Sequence, residues 1–245
     1  MANGFDPRLN MAPGAAATTA DRSAAVDAGL RAHMLSVYNY MTSGVLLTGI
    51  IALVAARTGV AQQIFFESGI LKWVVILAPL AMVFLLMARV SRMSMGGLQA
   101  FYWSFAAVMG LSMSLIPLIY TGTSIATAFF ATSAAFASLS LWGYTTKKDL
   151  SGFGTFLIMG VVGLIVAMLL NLWLQSSALQ LAISAIGVLL FAGLTAYDTQ
   201  RIKSMYFQVA GSDMQGKVVI MGALSLYLDF INMFQFLLYF MGDRR

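Results

Sequence analysis

Two aspartates stand inside apolar runs near the end of the chain, Asp198 in LLFAGLTAYDTQRIK and Asp229 in ALSLYLDFINMFQFLLYFMG. Every other acid (Asp6, Asp21, Asp27, Glu67, Asp149, Asp213, Asp243) lies in or beside a polar segment. An ionised carboxylate at the centre of a bilayer costs roughly 2.5–3.5 kcal/mol on insertion scales. A chain this apolar does not need such groups in order to fold, so the pair is the default functional site. Two carboxylates in one low-dielectric site cannot both ionise cheaply; they hold one proton between them and titrate as a unit. Once opened, the same oxygens suit a hard cation such as calcium, bound by Asp198 and Asp229. The plainer alternative gives each aspartate its own arginine or a backbone cap.

Other side chains could serve this pair. Arg89 and Arg92 close the second apolar run one turn apart, at the end where Asp198 is expected, and either could pair with it and lock that mouth. Asn232 and Gln235 follow Asp229 at three-residue steps and Ser225 precedes it by four, so they share one broad helical face. Such a stripe either lines a path or hydrogen-bonds to other helices. Asn171, alone in the fifth apolar run, has the same two readings. His33, the only histidine, opens the first run and is read as interfacial, so no histidine metal site is expected. With no cysteine, disulfides, thiolate nucleophiles and cysteine-bound metals are excluded. Neither catalytic residues nor a resident cofactor are expected.

The elements that must hold these residues follow from composition. Of 245 residues, 60% are hydrophobic and 9% charged, whereas soluble domains carry about 25% charged residues. The apolar runs continue without a two-residue alternation, which favours membrane-crossing helices over a β-barrel. The fold class is therefore an all-α, seven-helix transmembrane bundle. Spans are expected near 33–55, 71–87, 98–120, 124–142, 153–173, 179–199 and 218–241, the last beginning at either Val218 or Ala223. Pro79 should kink the second, and Trp73, Trp103, Trp142 and Trp173 fall at or near span ends, where such rings meet headgroups. Residues 1–30 read as a disordered tail and 31–245 as the membrane domain. Arg8, Arg22, Arg31, Arg89, Arg92, Lys147, Lys148, Arg201, Lys203 and Lys217 fall on alternate connections. The N-terminus is accordingly expected in the cytoplasm. Seven crossings then leave Asp243-Arg244-Arg245 outside, against the rule, unless the last segment turns back. The net charge of +5 orients the chain and meets lipid headgroups; it does not indicate nucleic-acid binding.

AYDTQRIK followed by ALSLYLDFIN, with KKDLS ahead of the fifth span, resembles the Bax inhibitor-1 family, also called transmembrane Bax inhibitor motif proteins, over roughly residues 30–245. The resemblance implies a bacterial-type member in the inner (plasma) membrane. It also implies a seven-helix fold with the last helix central and a pH-sensitive calcium leak. Asp198 and Asp229 fall on the family's pH-sensing pair, and Arg92, or Arg89 one turn away, on its gating arginine. The competing reading is a membrane-embedded regulator that binds another membrane protein, such as a quality-control protease or a death factor. An intramembrane aspartyl protease is disfavoured: its GxGD motif is replaced by Leu226-Tyr227-Leu228-Asp229, without either glycine.

Overall fold

A computed structural model describes the backbone from residue 17 and the side chains of residue 24 and residues 26–245. Seven helices are long and apolar enough to cross a membrane. They are α1 (Ala17–Arg57), α2 (Leu71–Arg89), α3 (Met95–Met113), α4 (Gly122–Thr145), α5 (Ser151–Leu174), α6 (Ser177–Val209) and α7 (Gln215–Met241). No strand is found among the described residues.

The helix ends follow local chemistry. Ser94, Thr121 and Ser176 accept from the backbone N–H three residues on and start α3, α4 and α6. The α3 helix stops at Met113, and the chain resumes in a single turn, Ile116–Ile119, with Pro117 near its start. The α2 helix continues through Pro79. Residues 17–30, expected as tail, are instead the first turns of α1. The stretch is rich in alanine, the strongest helix former. The remainder of the expected tail lies outside the described residues.

Close approaches fix the directions. Gly44 lies against Tyr102 and Gly110 against Thr48 and Ile51, so α1 and α3 run parallel. Gly222 lies against Ile202 and Gly187 against Phe236, so α6 and α7 run antiparallel. Phe136 and Phe129 meet Phe230 and Phe234, setting α4 antiparallel to α7. These relations match a full crossing by every helix, α7 included. One end of the bundle gathers Arg31, Arg89, Arg92, Lys147, Lys148, Arg201, Lys203 and Lys217; we call it the basic end and its opposite the far end.

The α7 helix is the axis. In its most apolar window 72% of residues are buried, against 11–33% in the other six helices. The main core gathers Leu86, Tyr102, Phe105, Phe136, Ile202, Leu226, Tyr227 and Phe230 around it. The α2 and α5 helices lie at the periphery and expose Phe84, Ile158, Val162, Leu172 and Trp173 as a lipid-facing belt.

Residues Asp243-Arg244-Arg245 are held by the bundle itself. Thr121 N–H donates to Asp243 O (3.2 Å), Arg245 N–H to Ile119 O (2.8 Å) and Asp243 N–H to Ser124 Oγ (2.9 Å). The last residues are therefore bonded to the connection before α4, at the far end.

Candidate functional site

Both aspartates lie on the surface where α6 meets α7. On α6, Gly187, Phe191, Asp198 and Ile202 form one stripe, and on α7 Gly222, Leu226, Asp229, Met233 and Phe236 form another, each stepping by three or four residues or a multiple. The stripes face each other: the Phe191 and Phe236 rings stack with centroids 5.9 Å apart, and Gly222 packs on Ile202. In this register Asp198 lies level with Leu226, three residues or about 4.5 Å along the axis from Asp229. The α7 helix begins at Gln215, ahead of both expected starts. Asp229 is thus about 21 Å from one helix end and 18 Å from the other, near mid-helix.

Their surroundings differ. Asp229 is 4% exposed, and its Oδ2 is buried with no hydrogen-bond partner. The Asp198 side chain is 13% exposed, and its Oδ1 lies 4.0 Å from an Arg201 guanidinium nitrogen. This is the one ion pair among the described residues; Arg89 and Arg92, either of which could have paired with Asp198, do not. Arg89 ends α2 and Arg92 ends the single turn after it, both exposed at the basic end and, among the described residues, without an acid within 4.0 Å. Arg201 wins because it is one helical turn from Asp198 on the same helix.

Two hydroxyl ties hold the stripes in place. Thr48 on α1 donates to Ala106 O on α3 (2.9 Å) and bonds the Tyr227 hydroxyl on α7 at 2.6 Å. With the Thr48 proton committed to the carbonyl, Tyr227 donates. On the other side Tyr38 meets Ser140 (2.6 Å), Ser140 meets Thr199 (2.8 Å), and Thr199 donates to Thr195 O (2.7 Å). That chain ties α1 and α4 to α6. Tyr227 is two residues before Asp229, and Thr199 is next to Asp198. None of Tyr38, Thr48, Ser140, Thr199 and Tyr227 stands out in the sequence as a residue of the site. Hydroxyl residues are common in apolar helices, and their pairing across 59–179 residues leaves no local signal.

Asn232 and Gln235 line a cavity of ≈ 740 Å³ that opens between α2, α3, α5 and α7 toward the far end. Asn232 also donates to Leu228 O (2.8 Å). Asn171 is elsewhere: it donates to Gln180 Oε1 (3.1 Å) and accepts from Ser176 N–H (3.0 Å), closing the α5–α6 turn. His33, expected against the headgroups, is buried inside the bundle. It is 2% exposed against the Tyr206 ring, and neither ring nitrogen has a partner. Among the described residues no three His, Cys, Asp or Glu side chains gather as metal ligands. A cation at this site would therefore meet two carboxylates and whatever carbonyl or water oxygens it brings into reach.

The family model described as "Inhibitor of apoptosis-promoting Bax1" matches residues 30–245. The chain is 45% identical over 229 residues to "Uncharacterized protein RP147" of Rickettsia prowazekii, covering 93% of this chain and 96% of the relative. It is 44% identical over 220 residues to "Inner membrane protein YbhL" of Escherichia coli K12, covering 89% and 94%. A protein of Deinococcus radiodurans is 42% identical over 210 residues, covering 85% and 89%.

Proposed function

Because the chain belongs to the Bax inhibitor-1 family of membrane proteins, we propose that it is a pH-sensitive cation leak with calcium as cargo. Asp198 and Asp229 form its proton-sharing pair. The observation that carries the reading is the pair's placement: two carboxylates on facing stripes, about one turn apart, one of them buried with an oxygen that nothing in the bundle satisfies. A buried carboxylate in that state must hold a proton, attract a cation or move toward a donor. Each choice corresponds to a different packing of α6 on α7. Proton binding shifts the balance of closed and open bundles by its differential affinity for the two.

The path runs from the basic end, past Arg201 and Asp198, to Asp229, and then along Asn232 and Gln235 into the far-end cavity. The basic end is cytoplasmic in this reading, as the positive loops require, and the membrane is a bacterial inner membrane, as in the Escherichia coli relative. Arg201 takes the role that the family resemblance gave to Arg92 or Arg89. A second role, restraint of another membrane protein, is supported by the description of the matched family; it would survive loss of both carboxylates.

The test is calcium flux into proteoliposomes across a pH series for wild type, Asp198→Asn and Asp229→Asn. The expected result is a flux that no longer varies with pH in either variant. A wild-type pH profile in both variants removes the pair as sensor.

A further inference from the structure

The C-terminal tail supplies a charge to the far-end cavity. The cavity's floor reaches Leu228 and Asn232, one residue before and three after Asp229, and its lining includes Tyr120, Tyr239 and Arg244. Among the described residues Arg244 is the one charged side chain on that lining. Tyr120 and Arg244 form an antiparallel bridge, with backbone bonds on both sides of it at Thr121 and Ile119. The Arg244 guanidinium stands 5.9 Å from the centre of the Tyr120 ring. In extended chain, successive side chains alternate, so Arg244 turns to the cavity while Asp243 and Arg245 turn away. No acid lies within 4.0 Å of Arg244 among the described residues. Arg244 is thus a cation with no acid in ion-pair range among the described residues, beside a cavity whose other polar side chains, Ser112, Tyr120, Asn232, Gln235 and Tyr239, are neutral.

We propose that Arg244 is the charge filter of this mouth: it raises the local concentration of anions and slows divalent cations that approach Asp229 from the far end. The consequence for calcium rests on the leak reading above; the filter itself does not. One charge at roughly 10 Å changes the local ion concentration about twofold at the dielectric of water and more than tenfold at an effective dielectric of about 20. Screening has a length of about 10 Å at 0.1 M salt and 30 Å at 0.01 M, so the effect is largest at low ionic strength.

The chain has no cysteine, which permits a readout independent of flux. Gln235→Cys, and separately Asn232→Cys, are placed in phosphatidylcholine vesicles. Each is modified from the far side by an anionic and by a cationic thiol reagent of similar size. The expected result is that Arg244→Gln lowers the anionic-to-cationic rate ratio at least about twofold at 0.01 M salt. Arg244→Glu should invert it, and 1 M salt should remove both effects. A ratio that Arg244→Glu leaves unmoved, or cysteines that neither reagent reaches, overturns the proposal. In parallel, Arg244→Glu should raise calcium flux from the far side. If the ratio moves and no variant carries calcium, the filter stands and the leak reading fails. If the ratio stays fixed while the aspartate variants lose pH dependence, the leak reading stands and the filter fails.

Discussion

Replacing Thr48 by valine keeps the branched shape of the side chain and removes one hydroxyl from the centre of the bundle. Thr48 is 2% exposed, and its hydroxyl bonds both Ala106 O at 2.9 Å and the Tyr227 hydroxyl at 2.6 Å. Ala106 O sits within the α3 helix and keeps its helical bond. Tyr227 is 0% exposed, with its ring wedged 5.8 Å from Phe105 and 6.3 Å from Tyr102, so its hydroxyl has no water to turn to. An orphaned buried hydroxyl costs about 1–3 kcal/mol, while side-chain hydrogen bonds inside membranes average about 0.6 and reach about 1.7 kcal/mol. Thr48→Val should therefore cost about 1–2 kcal/mol. Tyr227→Phe should cost about 1 kcal/mol, since it removes the donor and leaves Thr48 its carbonyl. The double variant should be no less stable than Thr48→Val alone, because phenylalanine leaves nothing to orphan. The cycle then gives a coupling of about 1 kcal/mol. The assay is reversible unfolding in mixed micelles, followed by helicity, for all four proteins. Additive losses, with a coupling below about 0.3 kcal/mol, would show that the short contact holds no energy and that Tyr227 is not what fixes α7 beside Asp229.

Three further outcomes follow from the packing. Gly143→Ala drives a methyl into the Ala196 carbonyl of α6, where only backbone can yield; it should cost about 1–3 kcal/mol or more and lower the thermal midpoint in detergent, whereas Gly163→Ala, with nothing within 4 Å, should be neutral or stabilising. Asn171→Leu should cost about 0.5–2 kcal/mol by uncapping the α5–α6 turn and leave the pH profile of flux unchanged; a shifted profile at normal stability would return Asn171 to the ion path. Asp149 accepts from Ser151 N–H and Oγ–H at 2.9 Å each, which holds its carboxyl below the usual value of 3.8. A depressed carboxylate stabilises fully above its unfolded value and less as pH falls through the folded one, so the melting difference between wild type and Asp149→Ala should be complete at pH 6 and shrink below about pH 4; a difference that is the same at pH 3 and pH 6 contradicts this.

Much of the molecule could be read from the residues in order. Apolar runs of bilayer length give seven helices because a backbone in lipid must satisfy its own hydrogen bonds, and only a helix does so within one segment. The same cost argument singled out Asp198 and Asp229, since a charge in an apolar run is visible without knowing its neighbours. Tertiary structure decided what depends on facing. It set the two carboxylates on opposed stripes about one turn apart. It gave Asp198 to Arg201 instead of Arg89 or Arg92, buried His33, sent Asn171 to a turn, and bonded the last residues beside Tyr120. Rotation about a helix axis and register between helices come from close packing at sites such as Gly187, Gly222 and Thr48. That packing joins residues 20 to 179 positions apart, and no local pattern in the chain records it.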